Sequence, residues 1–191
     1  MKIAGVVLAA GLSTRLGRPK QTVMLGGETL VERAVRTAIE AGLFPVIAVI
    51  LDAELIDSLQ KLGAMVLLNR RTYEGLSSSI AVGVGAAKNQ GADGVVLLAC
   101  DQPALMADHL RALCAHPQSA CGSAYAGKVG IPAYFPVSSF ASLLQLTGDT
   151  GARDLLHNAR SVHSENLSFD IDTEEDIAQL SSKLKCNPLQ G

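Results

Sequence analysis

The sequence predicts an α/β protein, with a mainly parallel sheet and helices packed on both of its faces. Strand-like and helix-like runs alternate up to about residue 115. The strand runs are near-continuous aliphatic stretches, such as Val46-Ile47-Ala48-Val49-Ile50 and Val95-Val96-Leu97-Leu98, which is what strands covered on both faces require. Charged residues make up only 18% of the chain, below the roughly 25% of an average soluble domain, and hydrophobic residues 48%, so much of the chain is interior.

Taken in order, Lys2 to Ala9 reads as a buried strand and Leu30 to Ala41 as the helix that returns over the sheet. Pro45 to Leu51 and Ala53 to Leu62 form the second such unit, Met65 to Leu68 and Ser78 to Lys88 the third, and Gly94 to Ala99 and Ala107 to Ala115 the fourth. After Pro117 the runs shorten. Strands are expected at Ala120 to Ala126 and Ile131 to Phe135, helices at Phe140 to Leu146 and Ala152 to Asn158, a strand at Asn166 to Ile171 and a last helix from Thr173. This second half is expected to cap the carboxyl edge of the sheet and to receive a second substrate, since ligands of open α/β sheets bind outside the carboxyl ends of the strands. The 191 residues fit one domain, read as 1–185, followed by a loose tail at 186–191; no repeat or low-complexity segment interrupts it.

A formal net charge of -2 argues against a nucleic-acid surface and points to a small ligand. Cys100, Cys114, Cys121 and Cys186 show neither Cys-x-x-C pairing nor metal spacing with histidine, so neither a zinc site nor a disulfide framework is expected. No apolar run approaches the ~20 residues of a membrane helix, and the N-terminal stretch lacks the features of an export signal. A cytoplasmic protein is the expectation.

The first strand empties into Ala9-Ala10-Gly11-Leu12-Ser13-Thr14-Arg15-Leu16-Gly17-Arg18-Pro19-Lys20. Glycines here let backbone N–H groups approach an anion, Ser13 adds a hydroxyl, and Arg15 and Lys20 add positive charge, a combination suited to phosphate and hence to a nucleotide. The alternative is a plain strand-to-helix turn. The loop is not a Walker loop, having no Gly-Lys-Ser/Thr, and it lacks the Gly-x-Gly-x-x-Gly of dinucleotide enzymes, which disfavours hydride transfer.

Cys100-Asp101-Gln102-Pro103 follows directly on the strand ending at Ala99. A carboxylate there faces the same crevice as the phosphate loop and suits magnesium bridging triphosphate oxygens, although an Asp in such a turn can also serve only as a helix N-cap. Gly75 and the hydroxyls of Ser77, Ser78 and Ser79 could bond a base or sugar, with N-capping by Ser77 or Ser78 as the other reading. Along Phe169-Asp170-Ile171-Asp172, period two puts Asp170 and Asp172 on one side, so that Asp170 could complete a metal site with Asp101. Thr173 with the acids after it resembles a capping box. Gly130-Ile131-Pro132 and Gly148 to Arg153 read either as turns or as the lining of an acceptor pocket, with Arg153 meeting a phosphate.

Leu8-Ala9-Ala10-Gly11-x-Ser13-x-Arg15-x-Gly17-x-Pro19-Lys20, Glu74-Gly75-Leu76-Ser77-Ser78-Ser79, Cys100-Asp101-Gln102-Pro103, Gly130-x-Pro132, Gly148-Asp149-x-Gly151-Ala152 and Asp170-x-Asp172-Thr173 together resemble the MobA-like nucleotidyltransferases, most of all the molybdenum cofactor cytidylyltransferases. The resemblance runs from about residue 3 to 180. It implies a three-layer α/β/α sandwich of the nucleotide-diphospho-sugar transferase type, whose mainly parallel sheet has seven strands, one of them antiparallel. It also implies magnesium-dependent transfer of a nucleoside monophosphate with release of pyrophosphate.

Carried over by position, Ala9, Ala10 and Gly11 would meet base and phosphate, Arg15 and Lys20 the triphosphate, Ser79 the cytosine ring region, and Asp101 the metal. Guanylyl-transferring relatives usually have glycine where this chain has Ala10, which tilts the expected donor to CTP. The expected acceptor is phosphorylated molybdopterin cofactor, with a molybdoenzyme or its chaperone receiving the product. Guanylyl transfer, transfer to a sugar phosphate or phospho-acid, and a non-catalytic nucleotide-binding or cofactor-delivery module are the rival expectations. Ile131 departs from the family pattern, in which His or Asn is common at that position.

Overall fold

The structure is a computed structural model and describes residues 1–11, 17–149, 151–169, 171 and 175–176. Nine strands and five α-helices are assigned among these residues. In chain order they are β1 (Ile3–Ala9), β2 (Met24–Leu25), β3 (Glu28–Thr29), α1 (Leu30–Glu40), β4 (Val46–Ile50), α2 (Ile56–Lys61), β5 (Met65–Leu68), α3 (Leu76–Asn89), β6 (Gly94–Ala99), α4 (Ala107–Leu113), β7 (Cys121–Tyr125), β8 (Lys128–Pro136), α5 (Phe140–Leu144) and β9 (Arg160–His163). Seven strands form the main sheet in the order β5-β4-β1-β6-β8-β7-β9, and β2 and β3 form a separate hairpin. Within the main sheet, pairings are parallel except those made by β8, which runs against both β6 and β7. The sheet is therefore the mainly parallel, seven-stranded one with a single antiparallel strand that the resemblance implies.

Alternation along the central strands builds two cores. On β1, Val7 and Ala9 join Val31, Val35 and Ala38 of α1, Leu59 of α2 and Leu110 and Leu113 of α4. Ala4, Val6 and Leu8 point the other way, into a cluster with Ile80, Val84 and Ala87 of α3 and Phe140 and Leu143 of α5. Successive side chains of a strand alternate between faces, so an all-apolar strand feeds both helix layers. That is the three-layer sandwich of the nucleotide-diphospho-sugar transferase fold.

Local chemistry explains the element ends. Thr29 caps α1 through a capping box: its Oγ1 accepts from Glu32 N–H at 3.3 Å while Glu32 Oε2 accepts from Thr29 N–H at 2.8 Å. α3 begins at Leu76, two residues before the expected Ser78, because Asp149 and Gly148 of a distant loop satisfy its first N–H groups. Leu76 N–H donates to Asp149 Oδ1 at 3.2 Å and Ser77 N–H to the Gly148 carbonyl at 3.1 Å. The expected helix Ala53 to Leu62 splits into a 3-10 turn, Ala53–Leu55, and α2.

The C-terminal half departs most from expectation. No strand covers Asn166 to Ile171 among the described residues; a 3-10 turn occupies Glu165–Ser168, and the last strand is β9, parallel to β7. Leu167 and Ile171 are both buried, but as separate anchors, Leu167 in the α1/α4 core and Ile171 in a small cluster with Val23, Leu25 and Leu30. Their spacing imitates a strand without being one. β9 is a largely exposed edge strand, so Arg160-Ser161-Val162-His163 has no apolar alternation to announce it. The expected helix Ala152 to Asn158 is only a 3-10 turn, Arg153–Leu156. The β2–β3 hairpin, not among the expected elements, turns on Gly26-Gly27, both at left-handed φ. The expected helix from Thr173 and the tail 186–191 lie outside the described residues, apart from a helical assignment at 175–176.

Candidate active site

Strand order places the site. β1 and β6 are parallel neighbours, with Leu8 beside Ala99, so the segments leaving their carboxyl ends start side by side. Lys20 follows the first of these segments, at the start of a 3-10 turn, Lys20–Thr22, held by Thr22 Oγ1 and N–H, which both donate to the Pro19 carbonyl. Asp101 leaves the second. Lys20 Nζ lies 3.3 Å from Asp101 Oδ2, and the two side chains keep 15% and 27% of their surface exposed. A cation and a carboxylate thus meet at the carboxyl edge of the sheet, half-buried but open to a ligand.

The neighbouring backbone frames them. Ala9 and Ala10 are buried. Gly11 is exposed, with no heavy atom within 4 Å of where a Cβ would stand, and Gly17 takes a left-handed φ of 69°. Ser13 and Arg15 lie outside the described residues, and so does Asp170. Ile171 N–H donates to the Asp101 carbonyl at 3.1 Å. Among the described residues no group of three or more His, Cys, Asp or Glu side chains could hold a metal ion. Burial and the Asp101 charge push the Cys100 thiol well above its ordinary range, leaving a protonated, unreactive sulfur beside the carboxylate.

Asn69, which is not among the expected site residues, organises the third segment. Its buried Nδ2 donates to both Ser78 Oγ and Ser79 Oγ at 2.9 Å, and its Oδ1 accepts from Arg71 N–H at 2.9 Å. A polar residue directly after β5 and ahead of three serines was the available signal. The hydroxyls of Ser77 and Ser78 bond back to Glu74 and Gly75 carbonyls inside the first turn of α3, whose N-cap is Gly75. Gly75 itself is fixed by packing: with φ 88° and ψ -175°, a Cβ there would stand 2.5 Å from the Gly148 carbonyl. Its own carbonyl accepts from Ser78, and its N–H donates to Thr72.

Gln102 joins Asp101 to a cleft. Its buried Nε2 donates to Tyr125 Oη at 3.1 Å and lies 3.5 Å from the carbonyls of Ile131 and Leu167, while Oε1 is buried with no partner among the described residues. The two carbonyls can only accept, so the amide must present its nitrogen to them. Tyr125 and Ile131 line a cleft of about 180 Å³, together with Leu76, Val129, Lys128, Gly130, Gly151 and Arg153. Gly130 and Ile131 thus come together with Gly151 and Arg153 at one cavity. Lys128 and Tyr125 were not singled out from the sequence. His109 is committed beneath this region, its Nε2 2.7 Å from Ser123 Oγ, which in turn donates to the Pro132 carbonyl.

A three-layer sheet thus carries a lysine–aspartate pair at its carboxyl edge, and Lys128 and Arg153 are among the residues that line the neighbouring cleft. Sequence similarity makes this specific: the chain belongs to the MobA-like NTP transferase family, which it matches over residues 5–164, and is a nucleotidyltransferase. It is 35% identical to the Purine catabolism protein PucB of Bacillus subtilis (strain 168) over 170 residues, covering 83% of this chain and 82% of that one. It is 32% identical to a Probable molybdenum cofactor guanylyltransferase of Opitutus terrae, covering 73% of this chain and 69% of that one. Among solved structures, Rv0371c of Mycobacterium tuberculosis H37Rv superposes with a TM-score of 0.79 at 29% identity, covering 95% of this chain and 99% of that one. Rv0371c has also been solved in complex with manganese, at a TM-score of 0.76 and 27% identity over the same shares of the two chains. No helix among the described residues is long and apolar enough to cross a membrane.

Proposed function

We propose that this chain transfers CMP from CTP to a phosphorylated acceptor, molybdopterin cofactor, with magnesium, releasing pyrophosphate. The observation that carries the reading is the 3.3 Å approach of Lys20 Nζ to Asp101 Oδ2 at the ends of adjacent strands. One triphosphate with its cation would be gripped there from two sides. Asp101 offers hard carboxylate oxygens with part of their surface open, which suits a divalent cation such as magnesium, with Asp170 as the second ligand. Bound there, the ion would neutralise charge on the triphosphate. The manganese complex of the Rv0371c relative supports a divalent ion at this fold.

The chemistry needs little from side chains beyond placement. A phosphate oxygen of the acceptor forms a bond to the α-phosphorus, and the bond from that phosphorus to the bridging oxygen breaks, its electron pair leaving with pyrophosphate. A phosphate monoester is already anionic near neutral pH, so no general base is required. Lys20 and Arg15 neutralise the growing charge, and loop N–H groups about Gly11 and Ser13 hold the phosphates, so catalysis is positioning and electrostatics. Ala9 and Ala10 floor the base site, where the Ala10 methyl narrows the room for a purine. Ser79, whose Oγ accepts from Asn69, keeps its proton to donate to a base carbonyl. Gly75 holds the start of α3 close to this position. The cleft beside Gln102 receives the acceptor, with Arg153 at its phosphate, and a molybdoenzyme or its chaperone takes the product.

A second reading, GTP as donor, is favoured by the relatives named guanylyltransferases. Thermal shift with the four NTPs and magnesium, followed by pyrophosphate release in the presence of acceptor, tests both. CTP stabilising more than GTP supports the first reading, the reverse the second. Nucleotide binding without pyrophosphate release would instead indicate a cofactor-delivery module.

A further inference from the structure

The Gln102 amide is held in an arrangement that packing alone does not favour. Its side chain is buried, and Nε2 faces three acceptors from three different elements: Tyr125 Oη of β7 at 3.1 Å and, at 3.5 Å, the carbonyls of Ile131 on β8 and of Leu167 in the 3-10 turn Glu165–Ser168. The amide cannot turn over. Tyr125 Oη donates its own proton to the Ile131 carbonyl at 2.8 Å, so all three neighbours of Nε2 accept and none donates. Oε1 is left buried with no partner among the described residues, a penalty that a methionine of similar volume would not carry. Asp101 stands between this fixed side chain and the buried Cys100, with its own carboxylate partly exposed and 3.3 Å from Lys20 Nζ. The Gln102 carbonyl accepts from Leu105 N–H at 3.1 Å, which closes the turn that Asp101 enters.

We infer that Gln102 is the positioning residue of Asp101: its amide pins the turn after β6 to β7, β8 and the Leu167 turn, and so fixes the carboxylate one residue away where Lys20 and a divalent cation meet it. Gln102 acts through Asp101 alone. A carboxylate whose main chain can shift grips an ion less well, and the loss shows in metal affinity while the fold stays intact. The orphaned Oε1 is then the penalty of holding the donor end of the amide in place. The inference rests on the reading of Asp101 as a metal ligand proposed above; the binding it concerns does not require turnover.

The test is Mn(II) binding to the nucleotide-free protein, with unbound ion counted by its EPR signal, alongside the thermal midpoint. Asp101→Asn should lose the site. Gln102→Met, which removes the donor and the orphaned oxygen together, should keep its midpoint within about 2 °C of the wild type and bind Mn(II) about tenfold more weakly. Tyr125→Phe, which withdraws the nearest acceptor, should also weaken Mn(II), and the double variant should bind no worse than Gln102→Met, since the two act through one contact. Tyr134→Phe, which removes the bond from Tyr134 Oη to the Pro117 carbonyl, should lower the midpoint by about 2 to 4 °C and leave Mn(II) affinity unchanged. Mn(II) affinity within about twofold of the wild type in folded Gln102→Met overturns the inference, and so does a double variant weakened by the product of the single effects. If Gln102→Met does not fold, weakened binding in Tyr125→Phe supports the inference and unchanged binding overturns it. Wild-type affinity in Asp101→Asn removes the metal reading of Asp101 and the inference with it, whereas loss in Asp101→Asn without change in Gln102→Met removes the inference alone.

Discussion

Lys20 Nζ and Asp101 Oδ2 stand 3.3 Å apart although 81 residues separate them in sequence. The pairing of β1 with β6, Leu8 beside Ala99, brings the two segments together, and the Ile171–Asp101 main-chain bond holds the far side. Without a ligand the ammonium neutralises the carboxylate. In the proposed site it occupies the electrostatic position of the divalent cation.

Metal binding should therefore compete with Lys20. In Lys20→Gln, manganese titrated calorimetrically into nucleotide-free protein should bind roughly 5- to 10-fold more tightly than in the wild type, since a nearby positive charge has gone. CTP with magnesium should bind more weakly in the same variant. Unchanged manganese affinity would mean that the ammonium and the metal do not share Asp101.

In the proposed reading, selection of the base rests on the Ala10 methyl. Ala10→Gly should raise kcat/KM for GTP relative to CTP by about tenfold, the usual worth of one carbon in a fitted pocket. Competition between the two nucleotides, read by product mass, measures it. An unchanged ratio would move base selection away from Ala10.

Gly75 is bound to its conformation and to its neighbour. A methyl there meets the Gly148 carbonyl at 2.5 Å from a backbone geometry that is essentially confined to glycine. Gly75→Ala should cost about 2 kcal/mol or more in urea unfolding. Gly85→Ala on α3, where a Cβ meets nothing within 4 Å, should be neutral or mildly stabilising.

The capping box of α1 should show in acid. Burial pushes the Glu32 carboxyl up, and hydrogen bonds from Thr29 and Ser58 more than offset it, leaving the group below its ordinary 4.5. A depressed carboxylate stabilises the fold fully above its ordinary range and loses that contribution as pH falls through the lowered value. Glu32→Ala should cost about 1 kcal/mol at pH 7, measured by urea unfolding, and the difference should shrink as the pH falls below 4.5.

The parts that could be read from sequence were those in which one residue type has one physical use. All-apolar strands between amphipathic helices announced β1, β4 and β6 and both helix layers, and Lys20 and Asp101, each following a strand end, come together at the edge of the candidate site. β9 was hidden because an exposed edge strand carries no apolar code, and Leu167 and Ile171 misled because two anchors in different clusters repeat like a strand. Asn69, Gln102, Tyr125 and Lys128 act through contacts across 9 to 65 residues of chain or within a hairpin, which spacing in sequence does not encode.

The most direct measurement is the steady-state rate of pyrophosphate release from CTP, magnesium and acceptor by Asp101→Asn, alongside its circular dichroism and thermal midpoint. If Asp101 and Lys20 hold one triphosphate and its cation, the rate falls by about 10³-fold or more while the fold stays intact. Turnover near that of the wild type in a folded Asp101→Asn protein would contradict it.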